Sequence, residues 1–274
     1  MITKQQQEAL EFFQKHAGNW RARAEGVGNT NGINIIEQRN RYVLQVAEER
    51  PITRSSLDVA CGTGELVCQL AQRDIDATGI DFAQKMVDLA SKKSQDEKIS
   101  RAKFVCGSIL DFKMKPASYD LISANGFIEY ISLQEVQSFF SAVAEALTPG
   151  GSFIVSSRNR LFNILSLNDY TLLELNSGNM ELLFREAVKW TTAKEMIKVT
   201  EQECAPFQSP ETKHAQTDIG VTTRFQYSPF QLIRLLQKEG LQPVEVYPVH
   251  IHGVPLAFKE ANTEIHASIA NLLQ

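Results

Sequence analysis

The sequence predicts an α/β fold with an open, mostly parallel sheet, and two observations carry that reading. From Ser55 onward, short apolar runs alternate with stretches of helical period, the pattern of strands joined by crossover helices. The first apolar run, Leu57-Asp58-Val59-Ala60, breaks into Cys61-Gly62-Thr63-Gly64 before helical period resumes. Paired glycines carry no Cβ and accept positive φ, so such a turn lets the backbone approach a ligand closely, and the helix start that follows offers unpaired N–H groups.

Bulk properties narrow the class. A chain of 274 residues buries a sizeable core and suits one large α/β domain with an elaboration, or two small domains. A net charge of −4 and the lack of a lysine–arginine cluster argue against nucleic acid as a partner, because phosphate neutralisation needs a concentrated basic face. The four cysteines, Cys61, Cys68, Cys106 and Cys204, form no CxxC pair and have no histidine at zinc-ligand spacing, so neither a metal site nor a disulfide framework is expected. No apolar run reaches the roughly 18 residues of a membrane span and the N-terminus has no signal-peptide core, so no membrane span and a cytoplasmic location are expected.

The elements follow in order. Residues 1–54 read as an N-terminal helical cap: a helix from Met1 to His16, a glycine-bearing loop from Ala17 to Gly32, and a second helix over 33–50 that Pro51 ends. Trp20, Arg23 and Arg41 in this cap can cover or clamp a ligand, with ordinary packing as the alternative. Residues 55–157 form the core, with strands at Ser56–Ala60, Asp76–Ile80, Lys103–Cys106, Tyr119–Ala124 and Ser152–Ser156 and helices over 64–73 and 133–147 between them. Pro149-Gly150-Gly151 stops the last of these helices. Residues 158–227 are too long for an idle connection and read as a substrate lid or subdomain, helical around 171–199. Residues 228–274 complete the core: Ser228 caps a helix with Pro229 in its first turn, Phe230, Ile233 and Leu236 face the sheet, and Gly240 ends it. A strand is expected at Gln242–Ile251, and a helix over 260–274.

Open parallel sheets bind ligands at the carboxyl ends of their strands, so the residues after each strand belong together. They are Cys61 to Gly64 after the first, Asp81-Phe82 after the second, Gly107-Ser108-Ile109 after the third and Asn125-Gly126-Phe127 after the fourth. A carboxylate at Asp81 can accept hydrogen bonds from both hydroxyls of a ribose, and it is equally a favoured cap for the helix that follows. The dinucleotide fingerprint wants a third glycine where Val67 stands, and Glu65 occupies the first helical turn, where it would repel a pyrophosphate. Both features argue against NAD or FAD. The spacing and lysine of a Walker A loop are missing as well.

Together, Leu57-Asp58-Val59-Ala60-Cys61-Gly62-Thr63-Gly64, Gly79-Ile80-Asp81-Phe82, Tyr119-Asp120-Leu121-Ile122 and Leu147-Thr148-Pro149-Gly150-Gly151 resemble the successive motifs of class I S-adenosylmethionine (SAM)-dependent methyltransferases. The resemblance covers about residues 33–157 and the C-terminal helix and strand. It implies a Rossmann-like, mostly parallel sheet of the seven-stranded type with helices on both faces. It also implies SAM as cofactor and S-adenosylhomocysteine (SAH) as product. By that resemblance Ala60, Cys61, Gly62, Thr63 and Gly64 hold the amino acid end of SAM while Asp58 steers its ammonium. Asp81 takes the ribose, Phe82 and Ile109 sandwich the adenine, Asn125, Gly126 and Phe127 line the methionine side, and Met86, Gly107 and Ser108 belong to the same cofactor-binding set. Two departures stand out: Ala60 where a glycine is common, and Ser108 where an acid often meets the adenine amino group.

The expected function is methyl transfer from SAM to an oxygen or nitrogen of a small-molecule acceptor. Such an acceptor can need a base, for which Tyr130, His250 and His252 are candidates, and Arg158, Asn159 and His214 are candidates for acceptor binding. Two alternatives keep the fold. One enzyme type consumes SAM itself by cyclisation or elimination, releasing methylthioadenosine, and a non-catalytic module would sense SAM. The oligomeric state and the acceptor are left open by the sequence.

Overall fold

The computed structural model describes residues 3–26, 34–50, 53–192, 201–208, 225–249 and 254–272. The chain divides into two compact units, one built from Ile36–Ser157 together with the N-terminal helix, the other from Arg158–Ser209 and Gln226–Gln274.

In the first unit, five strands form one sheet: β1 (Ser55–Val59), β2 (Asp76–Asp81), β3 (Ala102–Cys106), β4 (Tyr119–Ala124) and β5 (Leu147–Val155), in the order β3-β2-β1-β4-β5. Every pairing is parallel. The order runs outward from β1 in both directions, so the switch point lies where β1 and β4 adjoin, the position at which open α/β sheets bind ligands. Leu57, Ile80, Leu121 and Ile122 are fully buried, as expected of strands covered on both faces. Each such side chain contributes roughly 1.5–3 kcal/mol by burial.

The helices of this unit are α1 (Lys4–Ala24), α2 (Ile35–Glu49), α3 (Glu65–Ala71), α4 (Gln84–Asp96) and α5 (Leu133–Ala146). Capping boxes start α1 at Thr3 and α5 at Ser132. α1 runs through the stretch expected to be a loop. Burial of Ala17 against Ala83 and Met86 of the α4 start outweighs the helix cost of Gly18, whose missing side chain has open space around it.

The second unit holds α6 (Asp169–Asn176), α7 (Met180–Thr192), α8 (Pro229–Lys238) and α9 (Thr263–Leu272). α8 is capped by Ser228 with Pro229 in its first turn, as the sequence indicates. Its Phe230 and Ile233 pack on Trp190 and Cys204, whereas a sheet face was expected to receive them, and Leu235 is buried where Leu236 was expected to be.

The sheet corrects the seven-stranded expectation, since five strands are present among the described residues. The strand expected from Gln242 is not formed over 242–249. Pro243 and Pro248 each remove a ladder donor, and Val244 and Val246 stay exposed, so the alternating valines find neither a partner strand nor a core. β5 conversely begins earlier than expected, at Leu147, with a register shift opposite Tyr119 and Leu121 that absorbs the Pro149-Gly150-Gly151 bend.

Candidate cofactor site

The turn after β1 is built from three left-handed residues, Ala60 (φ 56°), Gly62 (φ 54°) and Gly64 (φ 82°). A Cβ on Gly64 would fall 2.7 Å from both Ala90 Cβ and Phe104 Cε1, so only glycine closes this turn onto α4 and β3. The Cys61 amide donates to Ile80 O (3.1 Å) and the Gly64 amide to Cys61 O (3.0 Å), which ties the turn to β2. The Glu65 carboxylate is held by its own turn, since the Thr63 hydroxyl lies within hydrogen-bond distance of both of its oxygens (2.9 and 2.8 Å). Burial raises the Glu65 pKa.

Asp81 closes β2 and is buried. Its Oδ2 accepts the Gly62 amide (3.0 Å) and its Oδ1 the Ala83 amide (2.9 Å). Each carboxylate oxygen has two acceptor positions, so one remains on each for a vicinal diol. The expected capping role is not met: α4 takes Ala83 as its N-cap with no side-chain cap bond, because Asp81 Oδ1 reaches the amide of Ala83 itself and stops short of the first helical turn. Burial lifts its pKa to about 6 against the opposing pull of those two amides.

Asp58 lies inside β1, where register places it between Gly79 of β2 and Ser123 of β4. Ser123 Oγ donates to Asp58 Oδ1 at 2.7 Å. Burial raises the Asp58 pKa to about 7, the serine bond opposes that rise, and the charges bearing on it are other carboxylates, Asp81 and Glu65. Sequence reading missed Ser123; its trace is a lone hydroxyl in the apolar run Leu121-Ile122-Ser123-Ala124 of the strand next to β1.

The third and fourth strand ends complete the rim. The Gly107 amide donates to Asp81 O (2.9 Å), Ile109 is buried, and Ser108 Oγ accepts the Leu110 amide (3.2 Å). The Asn125 Nδ2 is buried and makes no hydrogen bond with the protein. Gly126 donates to Ser156 Oγ (3.0 Å), and Arg39 of α2, not anticipated from sequence, brings its guanidinium to within 2.8 Å of where a Gly126 Cβ would stand. Phe127 sets its ring edge-on to Phe139 of α5, 5.3 Å between centroids.

α1 overlies these ends. Phe82 and Met86 pack with Leu10, Phe13, Ala17 and Trp20, so both meet α1. Tyr130, buried in the 3₁₀ turn Ile128–Tyr130, meets Phe13 edge-on at 5.5 Å. Trp20 reaches the glycine turn: its Cδ1 and Nε1 lie 3.7 Å from the Cβ position of Gly62.

Of the residues expected to serve the acceptor, Arg158 and Asn159 belong to the second unit. Asn159 Oδ1 accepts the Leu161 amide and caps the 3₁₀ turn Arg160–Ile164, and Arg158 O accepts the Tyr227 amide. His214, His250 and His252 lie outside the described residues. That unit instead centres on Arg160 and Glu174, both fully buried, joined by Nε–Oε1 (2.7 Å) and Nη2–Oε2 (2.6 Å) contacts. Asn163, Asn179 and Gln208 donate to the same carboxylate. Among the described residues no cluster of three or more His, Cys, Asp or Glu is placed to hold a metal, and the four cysteines are free thiols.

The glycine turn after β1 and the buried acid closing β2 stand side by side at the carboxyl end of a parallel sheet, where open α/β sheets bind their ligands. Residues 57–151 match the family described as a methyltransferase domain. Over these residues, which hold most of the sheet, the chain is similar to methyltransferase domains. A ubiquinone biosynthesis O-methyltransferase of Rickettsia canadensis is 26% identical over 155 residues, 56% of this chain and 63% of the relative. One of Saccharophagus degradans is 27% identical over 191 residues, 66% of this chain and 75% of the relative. Phosphoethanolamine N-methyltransferase 2 of Caenorhabditis elegans is 27% identical over 131 residues, 46% of this chain and 29% of the relative. The chain thus spans less than two thirds of the length of two of these three.

Proposed function

We infer that the chain transfers a methyl group from SAM to an oxygen or nitrogen of a small-molecule acceptor. The observation that carries the reading is the Asp81 carboxylate, fixed by the Gly62 and Ala83 amides with one acceptor position left on each oxygen. The site also suits a cation: Asp58 and Asp81 are buried carboxylates whose pKa values burial has raised, and a positively charged ligand favours their ionised forms. SAM carries two such charges, on its ammonium and its sulfonium. The buried Asn125 Nδ2 supplies an uncommitted donor at the rim for a ligand oxygen. The residues present therefore fit the cofactor.

When bound, SAM supplies a methyl group on a sulfonium sulfur that leaves as a neutral thioether. What the protein must do is orient the acceptor's lone pair opposite that bond and exclude water. In this reading Asp81 holds the ribose, Asp58 favours the ammonium while Ser123 fixes its orientation, and Cys61, Gly62, Thr63 and Gly64 admit the amino acid end. Residues 158–227 select the acceptor, with Arg158 and Asn159 among the groups available to it. The names of the relatives, a quinone-pathway O-methyltransferase and a phosphoethanolamine N-methyltransferase, support acceptors bearing a hydroxyl or an amine. A cytoplasmic location belongs to the same reading. Its supports are the free thiols and, among the described residues, the absence of a helix long and apolar enough to cross a membrane.

Calorimetry with SAM and SAH tests the site. Asp81→Ala is expected to weaken both roughly 100-fold, about 2.7 kcal/mol, since hydrogen bonds to a charged acceptor are worth about 1.5–3 kcal/mol each. Unchanged affinity in that variant would remove the ribose assignment. Isotopically labelled SAM methyl, offered with hydroxylated and amine metabolites, is expected to produce labelled acceptor; methylthioadenosine from SAM alone would favour self-consumption instead.

A further inference from the structure

We propose that α1 is a cover over the cofactor site and that Trp20 is the residue through which it retains the cofactor. The proposal rests on the SAM-binding reading above and adds to it how the cofactor enters and leaves.

The geometry comes from three attachments to three strand ends. Gln5 Nε2 donates to Tyr130 O (2.9 Å) and Gln6 Nε2 to Glu135 Oε1 (2.6 Å), which fixes the start of α1 to the segment after β4. Gln14 Oε1 accepts the Lys85 amide (3.1 Å), which fixes its middle to the start of α4, after β2. β2 and β4 are the two neighbours of β1 in the sheet, and Trp20 then meets the turn after β1 itself. The contact has the form of a removable cover rather than a core. Trp20 is only half buried, and its indole fills the space beside Gly62 at van der Waals distance from where a side chain would start. Phe13 links the parts, meeting Trp20 (5.5 Å), Phe82 (6.4 Å) and Tyr130 (5.5 Å), and the Arg23 guanidinium sits 6.0 Å from the Trp20 ring centroid. An aromatic plate at the amino acid end of the site excludes water from it and must lift before the bound molecule can go.

Trp20 and Trp190 are the only tryptophans in the chain, which makes the cover directly observable. In Trp190→Phe, titration with SAH is expected to change the emission of Trp20; in Trp20→Phe, the same titration is expected to leave emission unchanged. Stopped-flow displacement of SAH is expected to run about tenfold faster in Trp20→Ala than in the wild type. Gln14→Ala, which loosens α1 without touching the site, is expected to accelerate it severalfold. Wild-type dissociation rates in both variants, with no emission change in Trp190→Phe, would overturn the cover while leaving SAH affinity intact. Loss of SAH binding by the unmodified chain would instead overturn the cofactor reading on which it rests.

Discussion

Asp81 at the end of β2 and Glu174 on α6 are both removed from water, and they respond in opposite ways. Burial lifts Asp81 to about 6, and neighbouring Asp58 to about 7. Burial acts upward on Glu174 too, but the Arg160 bonds and charge, with Asn163 and Gln208, outweigh it and hold its pKa below the ordinary carboxylate value. The second unit has satisfied its carboxylate internally. In the first unit the charges bearing on Asp58 are those of other carboxylates, and Asp81 is held by two backbone amides. A completed ion pair is a structural element, whereas a buried acid short of a counter-charge is an energetic vacancy that a ligand can fill.

That contrast can be broken most severely at Arg160. Arg160→Ala strands the Glu174 carboxylate and is expected to cost about 3–5 kcal/mol in urea unfolding of the second unit, whereas Arg160→Met combined with Glu174→Leu should cost much less than the two single changes summed. Next in size is Gly64→Ala at the strand-end turn. Overpacking against Ala90 and Phe104 adds to left-handed strain, for roughly 3 kcal/mol of lost stability and weakened SAH binding by calorimetry.

The pH response sharpens the comparison further. Asp58 has a raised native pKa, so its contribution is fully present below about pH 4 and is lost as pH rises toward 7. Glu174 has a lowered one, so its contribution holds above about pH 4.3 and is lost as pH falls through its native value. Asp58→Asn is therefore expected to stabilise the ligand-free protein increasingly from pH 5 to 8, by about 1–3 kcal/mol at the upper end, and to weaken SAM binding over the same range. A pH-independent difference between variant and wild type would contradict the unpaired burial of Asp58. The smallest effect is expected from Ala60→Gly. Relief of left-handed strain nearly balances the added chain entropy, so thermal melting should shift by the equivalent of about 1 kcal/mol or less.

The parts legible in the sequence are those with local causes. Strand and helix alternation over 55–157, the glycine turn, the acid closing β2 and the Ser228-Pro229 helix start are written in adjacent residues, because propensity, capping and positive φ act within a few positions. Met86 and Phe82 were legible as neighbours of the cofactor region, but that they meet α1 depends on a helix more than sixty residues away in the chain.

What only the tertiary structure decided is whatever depends on a partner from another element. Ser123 became significant because register places it opposite Asp58. α1 continued past Gly18 because packing against α4 rewards a helix there that propensity alone would end. The valines after Gln242 read as a strand by alternation, yet with prolines on both sides and no neighbour they form none, since a strand is stable only in a ladder. The sequence by itself determined the parallel-sheet core and the glycine turn at its centre. Burial without a counter-charge at Asp58 and Asp81, and its opposite at Glu174, arose only when distant residues came together.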